Sequence, residues 1–169
     1  MMKIIGNKSK IAIEYKVKDK KQFIGYSKIW LSNNFIGTIE DLIFFKGYLF
    51  NGLDYLVNCD EIDSCLFNVF NNYDLKKIYY YFKRNLNNDN AELNSYKYKN
   101  SLGTFTDDFL IFSFKYEEYI YIIWKITNTK SNFNDIKIAK KNINVFKITK
   151  DELVEKTELF KKLIINDML

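Results

Sequence analysis

Apolar and polar residues alternate with a period of two from Ile11 to Lys18. Ile11, Ile13, Tyr15 and Val17 fall on one side, and Ala12, Glu14, Lys16 and Lys18 on the other. That period predicts a strand with one buried face. A second apolar run, Phe23 to Leu31, carries Trp30 and leads to Asn33-Asn34. This pair tolerates positive φ and predicts a tight hairpin into Phe35-Ile36-Gly37. The period then changes. Thr38-Ile39-Glu40-Asp41 resembles a loose capping box, and Leu42, Phe45, Leu49, Leu53 and Leu56 follow at spacings of three and four. One apolar stripe of this kind predicts a helix over about residues 39–58. Gly47 and Gly52 lie inside it, each costing roughly 1 kcal/mol against alanine, and each would let another backbone approach.

Asp60, Glu61, Asp63 and Ser64 suit a polar connection, and Asp74 is placed to cap a second helix with Leu75, Ile78, Tyr79, Phe82 and Leu86 on its apolar side. Asn85 to Asn100 has no period, which predicts a flexible loop. Strands return at Phe109–Phe114 and Tyr119–Ile126, flanking a hairpin at Lys115 to Glu118. Ile120, Ile122, Trp124 and Ile126 share one face of the second strand, with Tyr119, Tyr121, Ile123 and Lys125 on the other. Ile143, Val145 and Ile148 suggest a last strand. Thr149-Lys150-Asp151-Glu152 matches a capping box, with Leu153, Phe160 and Ile164 facing one side of a terminal helix. Strands, helices, strands and helix in that order predict an α+β class: a largely antiparallel β-sheet with two to three helices packed on one face. No repeat or linker divides residues 1–169, so one domain is expected.

Composition narrows the chemistry. A chain of 169 residues can bury a sufficient core without disulfide or metal. No apolar run reaches the ~18 residues of a membrane span, and Met1 to Lys10 shows no secretory signal, so a cytoplasmic domain without a membrane partner is expected. The chain has no histidine. It therefore lacks the usual general base of a serine or cysteine nucleophile. Cys59 and Cys65, five residues apart, fit neither a redox motif nor a zinc half-site and read as structural thiols. The acid pairs Glu40-Asp41, Asp60-Glu61, Asp107-Asp108 and Glu117-Glu118 lack calcium-loop spacing. No cofactor, metal or catalytic residue is expected. The net charge of +5 comes from dispersed lysines, and only Tyr79 to Phe82, flanked by Lys76, Lys77, Lys83 and Arg84, resembles a nucleic-acid platform. A Lys/Tyr-based nucleic-acid-binding domain is the alternative reading. On a helix, however, Tyr79 and Phe82 would be core while Tyr80 and Tyr81 lie at the edge.

Several motifs taken together resemble a known family. Ile4-Ile5-Gly6-Asn7, Ile11-Ala12-Ile13-Glu14-Tyr15 and Ile29-Trp30-Leu31 with Asn33-Asn34-Phe35-Ile36-Gly37 are similar to the opening of the immunity protein family numbered 42. Thr106-Asp107-Asp108-Phe109, Trp124-Lys125-Ile126 and Leu159-Phe160 agree in order, whereas residues 58–102 match nothing specific. The family belongs to bacterial polymorphic toxin systems. The resemblance implies a cytoplasmic antidote that binds a cognate toxin domain in a tight stoichiometric complex, with no specific nucleic-acid partner. It carries no contact residues, and Glu14, Trp30, Asp107, Asp108 and Trp124 read equally as structural. Asp60, Glu61 and Asp63 with Tyr73 form the candidate toxin contact, because this connection is polar, lies outside the fold motifs and sets an aromatic near acids.

Overall fold

The computed structural model describes residues 1–72 and 74–169. The period-two segments form strands, and they assemble into two antiparallel sheets. The first orders β1 (Lys3–Gly6), β2 (Ile11–Asp19), β3 (Ile24–Leu31) and β4 (Asn34–Ile36), with β5 (Ile43–Phe44) also paired to β3. Ser32 and Asn33 both take positive φ, and Leu31 faces Asn34 across the turn. The hairpin therefore turns one residue earlier than the Asn33-Asn34 pair suggests.

The helix expected over 39–58 starts later. Thr38 does not cap it, because its hydroxyl donates to Asp135 at 2.8 Å while Glu40 accepts the backbone N–H groups of Asn134 and Asp135 at 2.7 and 3.0 Å. These long-range bonds tie residues 38–40 to the 134–135 segment in a turn, in which Thr38 Oγ1 also accepts the Glu40 N–H at 3.1 Å. A π-helical turn, Phe45–Phe50, then runs into α1 (Asn51–Val57). Phe45, Leu49, Leu53 and Leu56 are buried as the stripe requires, and Leu42 is exposed. At Gly52 a β-carbon would lie 2.8 Å from the Leu102 α-carbon, so the glycine does admit a neighbouring backbone.

Next come α2 (Ser64–Asn71), which has no counterpart in the sequence reading, and α3 (Lys76–Arg84), whose first N–H is taken by the Asp74 carboxylate at 2.9 Å. The run Asn85–Asn100, expected to be flexible, carries its own hydrogen bonds: Asn90, Glu92 and Tyr96 donate backbone N–H groups to the side chains of Asn88, Asn90 and Asn94.

The second sheet orders β6 (Lys99–Asn100), β7 (Phe109–Tyr116), β8 (Tyr119–Ile126) and β9 (Asn144–Thr149). A short α4 (Asn134–Ile138) precedes β9, and α5 (Lys150–Met168) ends the chain. Thr149 accepts the Glu152 N–H at 3.3 Å, the capping bond that the Thr149–Glu152 motif predicts.

The α+β class thus holds, with five α-helices among the described residues. The larger core lies between the inner face of the first sheet, α1, α5 and one face of the second sheet, from Ile13, Ile29 and Leu53 to Ile122, Trp124 and Phe160. The opposite face of the second sheet is also buried: Phe112, Phe114, Tyr121 and Ile123 pack against Phe67 of α2 and Ile78, Tyr79 and Phe82 of α3. Burial on both faces explains why β8 reads as an almost unbroken apolar run.

Candidate functional site

After α1 the chain passes along the end of β7. Lys115 donates its N–H to the Asp60 carbonyl at 2.8 Å, and Ile62 donates to the Lys115 carbonyl at 2.9 Å, a single parallel bridge. Ile62 is buried by this pairing, and Asp60, Glu61 and Asp63 remain exposed. Asp63 also has a structural task, since its carboxylate accepts the Leu66 N–H at 2.9 Å and caps α2. Tyr73, the fourth candidate contact, lies outside the described residues.

Opposite this segment stands the Asn-rich loop. Glu61, Asp63 and Leu66 on one side and Glu92, Asn94 and Lys97 on the other bound a cleft of about 300 Å³. Tyr98 closes part of it. Its ring stacks on Phe82 at 4.5 Å and its hydroxyl donates to the Glu61 carbonyl at 3.4 Å. Burial pushes the Tyr98 phenol up; nearby Lys97 opposes this, and Asp60 and Asp63 add to it.

The acids extend beyond the cleft. Tyr116 and Tyr119 close the β7–β8 hairpin around Glu117 and Glu118, and Lys150 at the start of α5 donates its N–H to the Glu118 carbonyl at 2.8 Å. One end of the second sheet therefore gathers the exposed Asp60, Glu61, Asp63, Glu117, Glu118 and Asp151, with Lys115 and Lys150 among them. Among the described residues, none of these six acids forms an ion pair. In a chain of net charge +5 this end is a local reversal of sign. It presents exposed negative charge, suited to steering and holding cationic groups.

Burial pushes the neighbouring Cys59 thiol up, against the hydrogen bond to Ser113, the opposite of the shift that activates a thiol. Among the described residues no group of three His, Cys, Asp or Glu side chains is placed to hold a metal ion, and no helix is long and apolar enough to cross a membrane.

The remaining residues singled out in the sequence hold the fold. Glu14 accepts from Lys8 and from the Trp30 indole, both at 2.8 Å. Burial raises its carboxyl pKa, but these bonds and the charges of Lys8 and Lys28 outweigh burial, and the net shift is downward. Asp108 is buried and binds Asn128 and Ser131, both at 2.5 Å, which anchors the loop after β8. Burial pushes the Asp107 carboxyl up, helped by Asp41 and Asp108. Tyr79 and Phe82 are core while Tyr80 is exposed and Tyr81 half-buried, as the helical reading of that tetrad expects. The sequence reading missed the loop wall of the cleft, Glu92 to Asn94. It also missed α2, although Asp63 followed by Leu66, Phe67 and Phe70 carries a cap and a helical spacing.

A family model described as immunity protein 42 matches residues 1–157. No curated protein shows a match to the chain. Among solved structures, the crystal structure of CdiI from Burkholderia dolosa AUO158 is similar at a TM-score of 0.58, over 95% of this chain and 99% of that one. The two sequences are 13% identical, so the likeness is one of fold.

Proposed function

Because this chain belongs to the immunity protein 42 family and is a toxin-neutralising immunity protein, we propose that it acts as a non-catalytic cytoplasmic antidote. Residues 1–169 work as one domain that occludes its cognate toxin domain in a one-to-one complex. The toxin meets the acidic end of the second sheet through Asp60, Glu61 and Asp63, and Tyr73 is the fourth candidate contact.

The observation that carries this contact is the cluster of exposed carboxylates, without an ion pair among the described residues, at one end of a positively charged chain. Loops held on a rigid scaffold are where recognition residues concentrate, and the bridge to Lys115 together with the cap on α2 fixes this one. The same carboxylates repel phosphate, which counts against the Lys/Tyr nucleic-acid reading.

Co-expression with the toxin domain encoded beside this gene tests the function: it should rescue the cell, and the pair should co-purify with Kd at or below ~1 nM, about −12 kcal/mol. The double reversal Asp60→Lys with Glu61→Lys should slow association about tenfold at low salt and leave the melting temperature in place. Unchanged affinity in that variant removes this surface from the account. A wild-type chain that neither binds nor neutralises its neighbour's product removes the function.

A further inference from the structure

The outward side of α3 bears the opposite charge. With 3.6 residues per turn, Lys76, Lys77, Tyr80, Lys83 and Arg84 project into one arc of about 120°, away from the buried Ile78, Tyr79 and Phe82. Lys76, Lys83 and Arg84 are exposed and form no ion pair among the described residues. Tyr80 is 58% exposed, although its ring meets Tyr79 edge-on at 5.6 Å, and Arg84, the single arginine of the chain, follows it by one helical turn. On the adjoining α2, Val69 is 56% exposed.

A helix that presents an arginine one turn from a tyrosine offers two of the three side chains enriched among interface anchors. Lys76, Lys77 and Lys83 lie in the same arc. The guanidinium fork matches a carboxylate in two parallel hydrogen bonds. A phosphate backbone fits less well. Asp74 stands at the start of the helix, and Asp63, Glu61 and Glu92 line the cleft whose wall includes Tyr81 of α3. A polyanion running along this layer would meet those carboxylates, whereas a folded protein can set an acidic group against α3 and a basic one against the cleft.

We infer that the α3 face, centred on Tyr80 and Arg84, is a second contact surface that receives a carboxylate-bearing patch of the cognate toxin domain. The inference rests on the immunity reading and adds the chemistry of the partner's surface.

The test uses the full chain and the toxin domain encoded beside it, with a 20-nucleotide poly(U) RNA as the competing probe. Carbodiimide coupling of the complex should join Lys76 or Lys83 to toxin Asp or Glu side chains. Tyr80→Ala should weaken Kd about 30-fold. The reversal Lys76→Glu with Lys83→Glu and Arg84→Glu should slow association at least tenfold at low salt. The neutral set Lys76→Gln, Lys83→Gln and Arg84→Gln, chosen in case the reversal unfolds α3, should show a smaller fall in the same direction at an unchanged melting temperature. Wild-type binding with Tyr80→Ala and the neutral set within threefold of it, or coupling confined to other lysines, overturns the inference and leaves the immunity reading standing. RNA that displaces the toxin, and binds this face with submicromolar affinity lost in the neutral set, overturns it in favour of a nucleic-acid partner. No binding of the toxin by the wild-type chain overturns both readings.

Discussion

Trp124 on β8 donates its indole N–H to the Phe35 carbonyl on β4 at 2.9 Å, so one side chain spans the two sheets. The indole is almost wholly buried in the larger core. Replacing it leaves a half-buried carbonyl without its donor and a void where the second ring was. We expect Trp124→Phe to cost about 2–4 kcal/mol, read as a lower urea midpoint at unchanged slope, and to leave toxin affinity of the folded fraction as it was. Loss of affinity without loss of stability would show that Trp124 serves recognition.

Gly52 gives a prediction whose sign opposes helix propensity. On an open helix face, Gly→Ala adds up to about 1 kcal/mol of stability. Here the new methyl would stand 2.7 Å from the β-carbon and 2.8 Å from the α-carbon of Leu102, closer than packed atoms allow. Gly52→Ala should therefore destabilise by about 1–3 kcal/mol. A higher melting temperature would mean that the Leu102 segment yields.

Two carboxylates tie stability to pH. Hydrogen bonds from Lys3 and Tyr15 hold Asp167 below the usual carboxylate range, and the bonds from Lys8 and Trp30 bring Glu14 down despite its burial. A carboxyl whose pKa is lower in the folded chain adds stability that is complete above the unfolded value and is lost as pH falls through the folded one. The wild-type melting temperature should thus drop on acidification below the ordinary carboxylate range. Glu14→Gln with Asp167→Asn should start lower and fall less steeply across the same interval. Parallel curves would mean that neither group is linked to folding.

Asp63 serves both the fold and the proposed contact, and two substitutions separate the roles. Asp63→Ala removes the cap on α2 and should cost about 1 kcal/mol. Asp63→Asn keeps an acceptor for the Leu66 N–H and discards the charge, so stability should hold while toxin association slows. Equal association rates for the wild-type chain and Asp63→Asn would restrict this residue to capping.

The legible parts of the fold are those decided locally. Alternation from Ile11 to Val17 and from Tyr119 to Ile126 reports which face each side chain takes, and the capping bond at Thr149 lies within one turn of sequence. The start of the helix after Thr38 was illegible because the competing partner, Asp135, stands 97 residues away. The candidate site divides in the same way. That Asp60, Glu61 and Asp63 are exposed follows from their own composition, whereas their meeting with Glu92 and Asn94 across a cleft depends on where the sheet carries both segments. The helix α2 was short, and its Asn and β-favouring residues masked its spacing.

The second sheet partitions the interior. Phe112, Phe114, Tyr121 and Ile123 belong to one packed cluster, while Ile111, Ile120, Ile122 and Trp124 on alternate positions of the same strands belong to the other. A side chain exchanged on α2 or α3 is felt by the first set and shielded from the second, because contributions from well-separated sites add almost independently. The layer proposed to meet the toxin can thus accumulate heritable change at little risk to the scaffold. When the toxin encoded beside this gene changes, the immunity surface has room to follow it, one residue at a time, without having to rebuild the protein that carries the surface.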